Sequence, residues 1–308
     1  MKTGYFYIRE MEEIRHWKEM FDFCENMKKR INTSKLLKRI KISACAVILT
    51  LSMGLLSGCS QESESDTIVA GSTSVQPYAE ILAEAFMAKD PEAVIDIQGG
   101  GSSAGITATQ THSADIGMSS RSLEEGEKDL WSVEIAKDGL AIIVNPENPV
   151  KNLTSDQIRD IYAAEITDWS QVGGTKAKIN IIAREEGSGT RSAFTELLMG
   201  KKEITPKAIV QDSNGAVRQL VEDDPNAIGF ISLGLVSKEV KALNLDGVEA
   251  TRENIMNNSY KLSRQFLFVT DGEPTGIQKS FIDYTLSLEG QNLLSKEGLI
   301  PSAEGAAK

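Results

Sequence analysis

The chain has 308 residues, 41% of them hydrophobic and 25% charged, so it can bury a core and is neither disordered nor fibrous. Acidic residues outnumber basic ones by 44 to 33, which gives a formal charge of −11. Binding to nucleic acid requires a positive field at the protein surface, so this charge argues against a nucleic-acid partner.

The first part of the chain contains a predicted export signal. Basic residues are frequent from Lys28 to Lys41, and the run 42–57 that follows is uncharged and mostly apolar. A basic region followed by a short apolar run is typical of a secretory signal. The alternative, a membrane span, needs about 20 apolar residues and is therefore less favoured. Residues 1–26 fit no signal pattern, so we expect translation to begin at Met27.

The apolar run ends in Leu56-Ser57-Gly58-Cys59, which resembles the lipobox of bacterial lipoproteins. This resemblance implies that Cys59 carries the lipid that anchors the protein to the outer face of the cell membrane. Residues 1–58 would then be an extension and signal peptide, and residues 59–65 a polar tether. Two or more acyl chains are needed for stable attachment to a bilayer.

Metal and disulfide chemistry are not indicated. None of the three cysteines lies beyond Cys59, which argues against a disulfide framework and a cysteine-ligated metal site in the rest of the chain. The two histidines, His16 and His112, are too few for a histidine cluster. We therefore expect no metal and no cofactor.

Short apolar runs alternate with amphipathic stretches beyond residue 66, which predicts an α/β fold with a mainly parallel sheet. The predicted strands are Thr67–Ala70, Val94–Gln98, Ile116–Met118, Leu140–Val144, Ile179–Ala183, Ala227–Ser232 and Gln265–Thr270. The predicted helices are Val75–Ala88, Ala104–Gln110, Thr154–Ala163, Arg191–Met199, Ala216–Glu222 and Gly276–Leu286.

Three of the predicted helices follow turns that are rich in Ser, Thr and Gly. The turns are 71–74, 99–103 and 186–190. Glycine lets a ligand approach the backbone, and hydroxyl groups at a helix start lie beside unpaired backbone N–H groups. A single such turn is most often only a helix cap, but three in one chain predict an anion site where strands end.

These turns resemble the PstS-type phosphate-binding proteins of bacterial ABC importers. The most specific segment, Arg184-Glu185-Glu186-Gly187-Ser188-Gly189-Thr190-Arg191, is similar to the family's R-x-x-G-S-G-T pattern. Supporting segments are 71–75, 99–105, 114–121 and 227–230. The resemblance implies a type II periplasmic-binding-protein fold, with two lobes, a ligand cleft between them and two crossover strands.

Residue roles follow from the resemblance alone. It implies that the phosphate contacts come from Thr73, Ser74, Ser102, Ser120, Arg184, Ser188, Gly189 and Thr190. Arg184 would supply the one formal positive charge, and Glu186 would hold its guanidinium in place. Well-known family members have an aspartate at the position of Ser120, and that carboxylate accepts the proton of hydrogen phosphate. A hydroxyl repels sulfate less, so discrimination against sulfate is expected to be weaker here.

The resemblance also predicts the organisation of the chain. We expect crossings between the lobes near Leu140–Asn145 and Tyr260–Phe266. Lobe one would comprise residues 66–140 plus 266–308, and lobe two residues 141–265. Because both lobes contact the anion, the ligand would favour a closed, monomeric form that the permease subunits of an importer recognise.

Other functions fit the sequence less well. A hydrolase would need a base for Ser188, and His112 stands in a polar context far along the chain from it. Gly99-x-Gly101-x-x-Ala104 fits the dinucleotide fingerprint formally, but the required acidic residue at the end of a second strand is missing. Two alternatives stay open, namely a binding protein for another oxyanion such as sulfate or molybdate, and a phosphate sensor.

Overall fold

The computed structural model describes residues 66–302. Cys59, the signal segment, the tether and the expected start at Met27 lie outside the described residues. The predictions made for them therefore stay predictions.

Twelve strands, numbered in chain order, lie within residues 66–302. They are β1 (Asp66–Gly71), β2 (Val94–Gly99), β3 (Ile116–Ser119), β4 (Trp131–Val144), β5 (Asn152–Leu153), β6 (Asn180–Arg184), β7 (Ile209–Gln211), β8 (Ala227–Ser232), β9 (Lys241–Ala242), β10 (Asn244–Leu245), β11 (Ser263–Thr270) and β12 (Ile300–Pro301). All seven predicted strands overlap an observed one. The first half of β4 was not predicted, because Glu134, Lys137 and Asp138 interrupt its apolar pattern.

Helices alternate with the strands along the chain. They are α1 (Gln76–Met87), α2 (Ser102–Gln110), α3 (Ser155–Tyr162), α4 (Gly189–Phe194), α5 (Asn214–Asp223), α6 (Arg252–Met256), α7 (Gly276–Leu286) and α8 (Leu288–Lys296). The π-helical turn Thr195–Met199 follows α4, and 3-10 turns occupy Glu125–Glu127, Trp169–Val172 and Leu233–Leu235. The predicted helices are confirmed within a few residues, whereas α6 and α8 were not predicted.

Within residues 66–302, ten strands form one mixed sheet in the order β2-β1-β3-β11-β4-β8-β6-β7, with β9 and β12 both paired to β4. The outer neighbours are parallel, as in β1 with β2 and β3 and in β6 with β7 and β8. The inner strands β4 and β11 are antiparallel to each other and to their neighbours. The prediction of a mainly parallel sheet is therefore correct for the two flanks and wrong for the centre, where the chain runs back and forth.

The two inner strands connect two apolar cores. Residues 131–139 of β4 pair with β11, and residues 140–144 pair with β8. One core cluster draws its members from 69–136 and 266–299, whereas the other two clusters lie within 140–262. The fold is thus a two-lobed α/β fold, in which the same two strands contribute to both lobes. The expected lobe boundaries stay a prediction.

Helices in the described part of the chain are short. None of those between residues 66 and 302 combines the length and the apolar character that crossing a membrane requires.

Candidate functional site

Three buried serines form a cluster of hydroxyl groups at the ends of β1 and β3. Ser72 Oγ donates to Ser120 Oγ at 2.8 Å, and Ser102 Oγ lies 3.3 Å from Ser120 Oγ. The Ser120 backbone N–H donates to Ser102 Oγ at 3.1 Å. Parallel strands β1 and β3 end at the same edge of the sheet, so the turns that follow them meet there. We call Ser72, Ser102 and Ser120 the serine cluster.

Gly71 makes the close approach of these turns possible. Its φ is +142°, and a Cβ at this position would lie 2.3 Å from the Met118 carbonyl oxygen. The Ser72 backbone N–H donates to that same carbonyl at 2.9 Å. A larger residue would push the first turn away from the end of β3, because L-residues with a Cβ rarely adopt this φ.

Ser74 joins four separate parts of the chain. Its Oγ lies 2.8 Å from Thr190 Oγ1, at the start of α4, and accepts from Asn214 Nδ2 and from Arg264 Nη2 at 3.0 Å each. Asn214 Nδ2 also donates to Thr73 Oγ1 at 3.2 Å. Val75, next to Ser74, and Phe194, in the same helix as Thr190, belong to different core clusters, so this group of contacts lies between the two cores.

Arg184 ends β6 with a buried guanidinium group that is 1% exposed. Its Nε and Nη2 donate to the two carboxylate oxygens of Glu185 at 2.9 Å each, and Nη2 also donates to the Asp212 carbonyl at 3.0 Å. Nη1 is buried and has no hydrogen-bond partner among the described residues. Leaving a buried nitrogen of a cation without a hydrogen-bond partner costs free energy. Nη1 is therefore suited to donate a hydrogen bond to a bound anion.

The carboxylate that holds Arg184 is not the expected one. The sequence predicted Glu186, but the structure places Glu185 against the guanidinium at 2.9 Å, while Glu186 lines an open groove beside Arg191. Glu185 is favoured over Glu186 because its carboxylate reaches both Nε and Nη2 of Arg184. Such paired bonds fix the plane of a guanidinium. The expectation for Glu186 is therefore wrong.

Residues 188–190 bring backbone and hydroxyl groups against the serine cluster. Ser188 is the N-cap of α4, and its Oγ accepts from the Arg191 backbone N–H. A Cβ on Gly189 would lie 2.2 Å from Ser102 Oγ and 2.6 Å from Ser120 Oγ, so only glycine allows this approach. The first N–H groups of a helix have no partner within it, and those of Gly189 and Thr190 can bind an oxygen atom.

A buried ion pair lies behind Ser74, on the two inner strands. Asp138 of β4 and Arg264 of β11 are register partners, and Asp138 Oδ2 accepts from Arg264 Nε at 3.2 Å and from Nη2 at 3.0 Å. Their side chains are 1% and 3% exposed. Burial raises the pKa of Asp138 and lowers the pKa of Arg264, and the attraction between the two groups opposes both shifts.

Arg121 follows Ser120 directly, and its two terminal nitrogens are both paired, whereas its buried Nε has no partner among the described residues. Its Nη1 and Nη2 donate to the carboxylate oxygens of Glu127 at 2.7 and 2.8 Å, and Nη2 also donates to Ser103 Oγ at 3.2 Å. The hydrogen bonds from Arg121 hold the pKa of Glu127 below its usual range. The serine cluster therefore has a cation beside it whose charge is already neutralised.

Asp115, His112 and Trp169 have structural roles away from the site. Asp115 accepts from the Ile68 backbone N–H at 2.8 Å, so it joins β1 to the loop before β3. His112 has a side chain that is 75% exposed and lies 3.5 Å from Asp271. Trp169 is buried in a core cluster and donates from Nε1 to the Asn226 carbonyl. None of these three contacts the serine cluster or Ser74.

A family model described as a PBP superfamily domain matches residues 60–289. The chain belongs to the PBP superfamily. Among similar proteins, the phosphate-binding protein PstS of Bacillus subtilis (strain 168) is 33% identical over 239 residues, which cover 76% of this chain and 79% of that protein. The chain is therefore a member of the PstS-type branch, as its sequence motifs indicated.

Solved structures agree with this membership. A putative phosphate ABC transporter substrate-binding protein with bound phosphate from Clostridium perfringens is 48% identical, with a TM-score of 0.75 over 77% of this chain and 99% of that one. An ABC-type phosphate transport receptor from Vibrio cholerae is 40% identical, with a TM-score of 0.66 over 77% and 100% of the two chains.

In this PstS-type chain, sequence reasoning missed four residues that contact the site. They are Ser72, Asp138, Asn214 and Arg264. The available signal was that Asp138 and Arg264 each stand just before an apolar strand segment, 140–144 and 266–269, because a charge buried in a sheet is almost always paired. Arg264 is a second buried cation beside the site, paired with Asp138, and the expectation that Arg184 supplies the one positive charge to the ligand stays a prediction.

Proposed function

We propose that the protein captures inorganic phosphate in the cleft between its lobes and delivers it to an ABC importer. The observation that carries this proposal is that the segment between β6 and α4 meets the serine cluster at Gly189 and Ser74 at Thr190, while Arg184 at its start keeps a buried Nη1 without a partner among the described residues. The groups come from both lobes, so an anion bound by all of them would favour the closed form. The relatives named above are phosphate-binding proteins, which supports the same ligand.

The proposed contacts suit a desolvated oxyanion. Thr73, Ser74, Ser102, Ser120, Ser188 and Thr190 would supply hydroxyl groups, Gly189 and Thr190 backbone N–H groups, and Arg184 a guanidinium. Hydrogen bonds to a charged group contribute about 1.5–3 kcal/mol each, and micromolar affinity corresponds to about −8 kcal/mol, so a handful of them is sufficient after the costs of binding.

A titration of the purified protein by calorimetry tests the ligand. Phosphate, arsenate, sulfate and molybdate are added separately at two pH values. We expect micromolar or tighter binding of phosphate and at least tenfold weaker binding of sulfate. Sulfate binding within tenfold of phosphate would instead favour a general oxyanion-binding protein, for which the hydroxyl of Ser120 is the structural reason. No binding of phosphate would refute the proposal.

We further propose that the protein is lipid-anchored through Cys59 at the outer face of the cell membrane, does not catalyse a reaction and works with permease subunits. The basic and apolar segments before Cys59 support the anchor. Metabolic labelling with a radioactive fatty acid should label the parent and not a Cys59→Ser variant, and the variant should be released into the medium or periplasm. Equal labelling of both proteins would argue against this anchor.

The importer role has its own test. Deleting the gene should lower phosphate uptake by cells at micromolar phosphate, and a plasmid copy should restore it. Normal uptake in the deletion strain, together with tight phosphate binding by the purified protein, would favour a phosphate sensor.

A further inference from the structure

The Ser74 hydroxyl has only one way to direct its hydrogen. A serine hydroxyl offers one donor and two acceptor lone pairs. Arg264 Nη2 and Asn214 Nδ2 both contact Ser74 Oγ at 3.0 Å. An arginine nitrogen can only donate, so these two contacts can occupy both lone pairs provided that the Asn214 atom is also a donor.

The identity of that Asn214 atom follows from its other contact. The Ser232 backbone N–H donates to Asn214 Oδ1 at 3.2 Å. A backbone N–H cannot accept, so the atom facing Ser232 must be the amide oxygen and the atom facing Ser74 must be the NH₂ group. Ser74 therefore receives two hydrogen bonds and must donate its own hydrogen toward Thr190, where the two lobes meet.

We propose that Arg264, held in place by Asp138, is a positioning residue that makes Ser74 an obligatory hydrogen-bond donor to the bound anion. This inference rests on the proposed function. Asp138 accepts from two nitrogens of Arg264, Nε and Nη2. These two bonds to one carboxylate oxygen fix the guanidinium plane, so that Nη2 faces Ser74 Oγ from the middle of the sheet.

The location of the pair adds a link to lobe closure. Asp138 and Arg264 stand opposite each other on β4 and β11, the strands that contribute to both lobes. Ser74 lies beside the core cluster that contains Val75, and its partner Thr190 lies on α4, whose Phe194 belongs to another cluster. The strands β4 and β11, which connect the lobes, therefore set the orientation of the Ser74 hydroxyl before a ligand binds.

The arrangement determines which oxygen of the ligand can lie at Ser74. The hydrogen of a protonated oxygen would find no acceptor at Ser74, because Asn214 and Arg264 occupy both lone pairs, so an unprotonated oxygen is favoured there. The serine cluster differs, because Ser120 Oγ receives one identified hydrogen bond, from Ser72, and keeps capacity to accept. We therefore place the proton of hydrogen phosphate on the side of the serine cluster.

A double-mutant cycle tests whether Arg264 acts through Ser74. Phosphate affinity is measured by calorimetry for the parent, Ser74→Ala, the paired variant Asp138→Asn/Arg264→Gln and the combination of all three substitutions. The paired variant removes both charges, which avoids an uncompensated buried ion. We expect it to weaken binding about 10- to 100-fold when Ser74 is present and less than about threefold when Ser74 is Ala.

Arg264→Lys provides a second route if the paired variant does not fold. Lysine keeps the charge but lacks the planar fork that reaches Asp138 and Ser74 together. We expect binding about three- to tenfold weaker than in the parent and no further loss in the Ser74→Ala background. Equal losses in both backgrounds, in either series, would overturn the inference, because Arg264 would then act directly or only through the fold. If the parent binds phosphate and the losses are equal, the inference alone fails; if the parent binds none, the proposed function fails first.

Discussion

The two sides of the site use opposite electrostatic strategies. The serine cluster is neutral, and the guanidinium of Arg121 beside it donates from both terminal nitrogens to the two oxygens of Glu127, so that only its Nε is without a partner in the described part of the chain. On the other side, Arg184 and Arg264 each keep a buried Nη1 with no partner among residues 66–302. Hydroxyl groups can donate or accept, whereas guanidinium groups only donate. The hydroxyl side can therefore bind either a protonated or an unprotonated oxygen of the ligand, whereas the guanidinium side requires negatively charged oxygens.

The acidic character of the chain makes this local arrangement necessary. With a formal charge of −11, the protein's overall field repels an anion, so attraction must come from short-range hydrogen bonds in a dry region. Glu185 and Asp138 limit the net charge of the two guanidiniums while fixing their planes. Their role is geometric as much as electrostatic.

Removing the charge on the cationic side should have the largest effect. Arg184→Met keeps most of the volume but loses every donor, so we expect phosphate affinity to fall about 100-fold or more. Calorimetry of the purified variant measures this. Arg159→Met is the control, because Arg159 pairs with Asp156 on α3, away from the site. Binding by Arg184→Met within threefold of the parent would show that the cationic side does not contact the ligand.

Moving the start of α4 away from the serine cluster should have the next largest effect. In Gly189→Ala, the new methyl group would lie within 2.6 Å of Ser102 Oγ and Ser120 Oγ, so the start of α4 cannot approach the serine cluster as closely. We expect about 10- to 100-fold weaker binding of phosphate, measured by calorimetry. Gly215→Ala is the matched control, since nothing lies within 4 Å of a Cβ there. Unchanged affinity in Gly189→Ala would mean that close contact between the sides is not required.

Changing the neutral side should alter selectivity more than affinity. Ser120→Asp places a carboxylate where the ligand's proton is expected, and sulfate has no proton to donate to it. We expect the ratio of phosphate to sulfate affinity to rise about tenfold, as measured by competition titration. Ser113→Asp, on an exposed loop after α2, is the control. If the ratio falls or stays constant, the proton of hydrogen phosphate is not bound by the serine cluster.

The smallest effect concerns the neutralised cation. The pKa of Glu127 is lowered from 4.5 by the hydrogen bonds from Arg121. Its contribution to the free energy of unfolding is therefore present above pH 4.5 and is lost as the pH falls through the lower, folded-state pKa. We expect Glu127→Gln to cost about 1 kcal/mol at pH 7 and to remove that acid-dependent loss.

Urea unfolding at pH 7, 5 and 3 measures this prediction. The parent should lose more stability than Glu127→Gln between pH 5 and pH 3. Glu125→Gln serves as the control, because the Glu125 side chain is 88% exposed and pairs only with Lys128 at the surface. Parallel loss in all three proteins would show that the Arg121–Glu127 pair contributes nothing to acid sensitivity.

The sequence by itself determined the class of fold, most of the longer strands and helices, and the turns that carry Ser74, Ser102 and Gly189. These features are local, because apolar periodicity and Gly/Ser-rich turns depend on neighbouring residues. What only the tertiary structure decided is which carboxylate holds Arg184, and that Arg264, Asp138 and Asn214 meet at Ser74. Asp138 and Arg264 are 126 residues apart in the chain and Ser74 and Arg264 are 190 apart. No local pattern encodes such pairs, since the register of β4 against β11 and the meeting of the lobes bring them together.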